Sequence, residues 1–136
     1  MSSRGRLQPF SATLLPMVFA VLLFTVFLSQ QAAQSKPEIP VLKAGLGTCA
    51  ADFVVSDGNG KPVYQATIHA RIRYGALSVK RMDVEVNTND EGKARIEGLP
   101  SKAKPIVYDI EKDGTKTTAQ QDVATGCLAS LQVTLK

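Results

Sequence analysis

Tryptophan is absent from the 136-residue sequence, histidine occurs once, and aromatic residues make up only 6% of the chain. Tyr64, Tyr74 and Tyr108 are the only tyrosines, so few ring faces are available to stack against sugars. The lone histidine, His69, also counts against hydrolases of the Ser-His-Asp or Cys-His kind. Those need a base beside the nucleophile, and nothing in the sequence places a serine next to His69. The two cysteines, Cys49 and Cys127, have no histidine or further cysteine near them at ligand spacing, which disfavours a thiolate metal site. A strong excess of one charge is missing too. Arg4 and Arg6 are two of the 16 basic residues, leaving 14 against 12 acidic ones from Lys36 onward. That is an ordinary surface rather than a clustered basic footprint, and nucleic acid is set aside as a partner. From these absences the chain is expected not to be an enzyme and to use neither cofactor nor metal.

What is present begins with a basic start and an apolar run. Arg4 and Arg6 precede residues 14–28, which are apolar apart from Pro16 and Thr25. This is the layout of a signal sequence, and the positive flank sends the rest of the chain across the membrane. A helix of 15 residues reaches roughly 22 Å against a hydrocarbon core of about 30 Å, so cleavage is favoured. Ala33-Gln34-Ser35 offers a small-x-small site, and an uncleaved anchor stays open as the alternative. Residues 1–35 are thus expected to be a signal peptide or signal anchor. Residues 36–47 follow as a polar tether stiffened by Pro37 and Pro40, and residues 48–136 form one domain.

Within that domain the apolar positions recur at every second residue. Ala66, Ile68, Ala70, Ile72 and Tyr74 alternate with Gln65, Thr67, His69, Arg71 and Arg73. Met82, Val84 and Val86 alternate with Arg81, Asp83, Glu85 and Asn87. Cys49, Ala51, Phe53 and Val55 form a third set, and Cys127, Ala129, Leu131, Val133 and Leu135 a fourth. Shorter strands are expected over 94–96, 106–111 and 115–121. Asp57-Gly58-Asn59-Gly60, Asn89-Asp90-Glu91-Gly92 and Lys112-Asp113-Gly114 supply turns between them. Seven short strands without helices predict an all-β sandwich, the architecture of the Ig-like folds.

A hairpin over 65–74 and 80–88 sets Ile72 against Met82, Ala70 against Val84 and Ile68 against Val86. The same register puts Arg71 opposite Asp83 and His69 opposite Glu85, while a two-residue slip gives Arg73–Asp83 and Arg71–Glu85. His69, Arg71 and Arg73 form a possible contact stripe for anions, with a salt-bridged solvated face as the plainer explanation. Both cysteines share the parity of their strands' core residues, and an even count in an exported chain favours a Cys49–Cys127 disulfide. Two stretches faintly similar to calcium loops read better as turns: one has Lys61 at its fifth position, the other Gly98 at its twelfth.

Residues 53–114 resemble the carboxypeptidase regulatory-like domain, a transthyretin-like sandwich of exported bacterial proteins. The resemblance rests on Val54-Val55-Ser56-Asp57-Gly58-Asn59-Gly60-Lys61-Pro62-Val63 followed by Ala66. It continues through Thr88-Asn89-Asp90-Glu91-Gly92 to Gly98-Leu99-Pro100, and then Tyr108-Asp109-Ile110. Gln65 stands where that family usually has glycine. These are scaffold signatures and imply no reaction. Similar sandwiches include hydroxyisourate hydrolases, with several histidines and a Tyr-Arg-Gly-Ser ending, and intradiol dioxygenases, with two histidines and two tyrosines on iron. Collagen-adhesin B-type repeats, also similar, join their first and last strands by a Lys–Asn isopeptide bond, a purpose the disulfide would serve here. The expected function is a non-catalytic accessory or interaction domain outside the cytoplasmic membrane, with an envelope protein as partner and membrane contact only through residues 1–35. A module binding a small ligand or glycan is the alternative.

Overall fold

The computed structural model describes residues 36–136; the expectations for the signal segment, residues 1–35, lie outside the described residues. The described part is a sandwich of two four-stranded sheets. Its strands are β1 (Val41–Lys43), β2 (Cys49–Asp57), β3 (Thr67–Tyr74), β4 (Lys80–Asn87), β5 (Lys93–Leu99), β6 (Ile106–Lys112), β7 (Thr115–Gln121) and β8 (Leu128–Leu135). One sheet runs β1-β5-β2-β8 and the other β4-β3-β6-β7. The first is mixed, with β1 parallel to β5 and β2 parallel to β8; the second is antiparallel throughout.

Alternation builds the core as the sequence requires. Phe53 and Val55 of β2, Ile68 and Ile72 of β3, Ile96 of β5, and Tyr108 and Ile110 of β6 are all buried between the sheets. Their odd- or even-numbered neighbours face solvent, the half-buried pattern of a sheet with one wet face. Phe53 and Tyr108 meet edge to face across the core, with ring centroids 4.8 Å apart. The β3–β4 pairing takes the first of the two registers, Ile72 with Met82, Ala70 with Val84 and Ile68 with Val86.

Two corrections concern the region before β2. Residues 36–47 do not run as a plain tether: Val41–Lys43 forms a strand beside β5, so the sandwich has eight strands rather than seven. Ala44 is buried in the core, and Leu42 and Leu46 pack against it. The Arg95 amide donates to the Pro40 carbonyl at 2.9 Å, and Asn89 Nδ2 donates to the Glu38 carbonyl at 3.2 Å. A three-residue parallel strand leaves no periodic trace in sequence, since its partner lies more than 50 residues away.

The turns obey local chemistry. Asp57 Oδ1 accepts from the amides of Asn59 and Lys61, each at 2.9 Å, and Asn89 Oδ1 accepts from those of Glu91 and Lys93 at 3.0 and 2.9 Å. Gly92 has φ of 70°, and a Cβ there would strike the Val55 carbonyl, so only glycine fits.

Candidate functional site

Three strands of the second sheet present a charged outer face. Opposite His69 stand Glu85 on β4 and Asp109 on β6, and opposite Thr67 stands Glu111. With Lys116, Thr117 and Thr118 of β7, these residues line an open concavity of about 800 Å³ at one end of the face. Toward the other end, Arg71, Arg73 and Lys104 line a smaller hollow of about 300 Å³ with Pro105, Ile106 and Val107. One face thus carries a half around His69 where Glu85 and Asp109 stand beside a Glu111 ion-paired with Lys116 Nζ at 3.0 Å, and a basic half beyond Arg71.

The stripe of His69, Arg71 and Arg73 is divided by its partners. Arg71 Nε donates to Asp83 Oδ1 at 2.9 Å, and His69 Nε2 lies 3.5 Å from the same oxygen. His69 therefore leans diagonally to Asp83 rather than straight across to Glu85. The Arg71 hydrogen bond, opposed by slight desolvation and aided by the nearby charges of Arg71, His69 and Arg81, holds the Asp83 carboxyl below its ordinary value. Arg73 does not join them. It faces Arg81 across the strand pair, a like-charge placement that weakens a sheet.

A second polar arrangement, not foreseen from the sequence, lies inside. The Tyr108 hydroxyl donates to Gln121 Oε1 at 2.7 Å, and Gln121 Nε2 donates to the carbonyls of Ala50 at 3.2 Å and Gly126 at 2.8 Å. Burial pushes the Tyr108 phenol far above its ordinary value. This network ties β6 and β7 to the start of β2, next to the disulfide. Cys49 and Cys127 are bonded, with Cα atoms 4.6 Å apart, and bridge the start of β2 to the residue before β8. Disulfides persist in oxidising compartments.

Among the described residues no cluster of three His, Cys, Asp or Glu side chains is placed to hold a metal ion. The two-histidine, two-tyrosine set implied by the intradiol dioxygenases is not met either. His69 is the one histidine of the chain, and Tyr108 is enclosed in the core with its hydroxyl committed to Gln121.

The sequence matches no protein-family model and no curated protein. The fold is similar to that of catechol 1,2-dioxygenase from Acinetobacter sp., at 12% identity and a TM-score of 0.45, covering 90% of this chain and 68% of that one. The same enzyme from Pseudomonas arvilla is similar at 13% identity and a TM-score of 0.47, over 89% of this chain and 67% of that one. A 3-chlorocatechol 1,2-dioxygenase from Rhodococcus opacus is similar at 16% identity and a TM-score of 0.47, over 86% and 77%. These structures are enzymes, and on that finding the expectation that the chain is not an enzyme is withdrawn. At such identities the likeness concerns the fold alone and brings neither substrate nor reaction to this chain.

Proposed function

We propose that the chain is an exported interaction domain of the bacterial cell envelope, on a scaffold similar to the carboxypeptidase regulatory-like sandwich, and that an envelope protein is its partner. The basic start and apolar run of residues 4–28 support export, and the Cys49–Cys127 bond suits an oxidising compartment. The observation that carries the interaction reading is the divided face of the β4-β3-β6-β7 sheet. Glu85, Asp109 and Glu111 stand on rigid strands beside Arg73, Arg81 and Lys104. Side-by-side patches of opposite sign select an orientation as well as a partner.

The test places a photo-crosslinking residue at the exposed Val107, between the two halves, in cells making the full chain. One dominant crosslinked protein is expected, lost when Glu85 and Asp109 are both changed to Lys. A crosslink indifferent to that reversal would remove the face from the reading. The hollow of about 800 Å³ favours a second reading, a module for a small polar ligand or glycan. It is supported by an absence of crosslinks together with a rise in melting temperature from one member of a sugar or metabolite panel.

A further inference from the structure

The β3–β4 hairpin ends in a loop whose features each cost stability. Leu77 has φ of 56° and ψ of 16°, and Ser78 has φ of 53°. Both hold a left-handed conformation that residues with a Cβ resist. Leu77 is 95% exposed and Val79 72% exposed, so the strain does not serve to bury either side chain. Strain held in place without a packing return points to function.

Around these two aliphatic side chains the charge is of one sign. Arg73, Lys80 and Arg81 flank the loop on its own strands. Lys102 shares a hollow with Tyr74, Gly75 and Ala76, and Lys104 shares another with Arg73. All five cations are exposed, and none forms an ion pair among the described residues. No Asp or Glu occurs in residues 70–82 or 100–108. The nearest carboxylate in sequence, Asp83, is already held by Arg71.

We propose that this tip docks on an anionic phospholipid surface: Leu77 and Val79 enter the boundary between headgroups and acyl chains, and Arg73, Lys80, Arg81, Lys102 and Lys104 bind headgroup phosphates. A convex apolar point with a cationic collar is the geometry of interfacial membrane contact. A protein partner suits the tip less well. Protein interfaces are poor in lysine, whereas three of these five cations are lysines, and the one aromatic side chain beside the tip, Tyr74 at the end of β3, is half-buried. The proposal shares Arg73, Arg81 and Lys104 with the basic half of the sheet face, but its reporter sits at the loop end and its test uses lipid vesicles in place of cells, so the two readings fail separately.

The absence of native tryptophan makes that test specific. In the full chain, Leu77→Trp, with Val79→Trp as a second variant, reports the tip's surroundings whether or not residues 14–28 also enter the bilayer. Each is mixed with vesicles of phosphatidylcholine alone or with added phosphatidylglycerol. Expected is a blue shift of emission, with quenching by acyl-chain bromines, on phosphatidylglycerol vesicles only. A control Asn59→Trp, in the turn after β2 at the opposite end of the sandwich, should not shift. Adding Arg73→Glu and Arg81→Glu to Leu77→Trp should abolish the shift. No shift on either lipid, an equal shift on both, an equal shift at Asn59→Trp, or a shift indifferent to the charge reversal would each overturn the proposal. The first of these would leave a protein as the tip's occupant.

Discussion

Replacing Cys49 and Cys127 together by alanine should remove a large share of the domain's stability. The bond closes a loop with a sequence separation of 78. For a loop of that length the chain-entropy account gives about 4.5 kcal/mol at 25 °C. A domain of about 100 residues unfolds with an entropy of roughly 0.2 kcal/mol per degree near its midpoint, so that loss lowers the melting temperature by about 20 °C. Cys49 is fully buried, and loss of its sulfur also leaves a small void that adds to the cost. The bridge also joins strands that pair in parallel although they are distant in sequence, Ala50 with Leu128 onward. Without it, that pairing must be found against the full entropy of the intervening chain. The assay is thermal unfolding of the full chain, followed by circular dichroism, for wild type, the double variant and wild type in reductant. Reduced wild type should lose most of what the double variant loses, the remainder being the void at Cys49. A drop of less than about 5 °C, worth roughly 1 kcal/mol, would refute the reasoning and mean that the unfolded chain retains structure around both cysteines.

Thr88 is 2% exposed; its Oγ1 donates to the Val63 carbonyl at 2.6 Å and accepts from the Ala66 amide at 2.9 Å. Thr88→Val strands both backbone groups and should cost about 2 kcal/mol or more in urea unfolding, with Thr88→Ser recovering most of it. Gln65 holds φ of 53°, and its side chain makes only an exposed contact with the Tyr64 hydroxyl at 3.3 Å. Gln65→Gly should therefore raise stability by about 0.5–1 kcal/mol in the same assay, whereas Gln65→Ala should not. For Tyr108, burial raises the folded value above the unfolded value of 10.0. The unfolded chain releases that proton first, so stability is full below about pH 10 and declines as pH rises above it. Tyr108→Phe should flatten that alkaline decline while lowering stability at neutral pH, because Gln121 Oε1 loses its donor; an unchanged alkaline slope would exclude Tyr108 as its source.

Period-two alternation carried most of the fold, because a sheet with one dry face needs it along every long strand. The β3–β4 pairing was legible only down to two registers: parity and charge allow both, since the slip would set Arg73 against Asp83, and the structure takes the one that pairs Arg71 with Asp83 and leaves Arg73 facing Arg81. Parity also aimed Cys49 and Cys127 at one another. The half of the outer face around His69 was legible only in part. The hairpin register already set Glu85 opposite His69, but Asp109 and Glu111 join them only because β6 pairs with β3, about 40 residues earlier, and nothing local announces that neighbour. The diagonal reach of His69 to Asp83 depends on side-chain geometry that a register does not specify. Leu77 and Val79 looked like connecting loop, since exposure is a property of the fold around them.

Gln65 shows how one residue can be both a departure and an explanation. It stands where the proposed likeness to the carboxypeptidase regulatory-like scaffold would put glycine, and its left-handed backbone is the conformation glycine adopts at least cost. The surrounding hydrogen bonds hold it there: its amide donates to the Thr88 carbonyl at 3.0 Å, and the Thr88 amide donates to the Ala66 carbonyl at 3.0 Å. At this position, then, the fold sets the backbone and the residue tolerates it. At the β3–β4 tip the same strain recurs at Leu77 and Ser78, but only one local backbone bond, from the Ser78 amide to the Gly75 carbonyl at 3.1 Å, spans the loop. Strain locked by a buried network needs no purpose beyond the fold. Strain at an exposed apolar tip, beside cations that repel one another, is what the proposed lipid contact would offset.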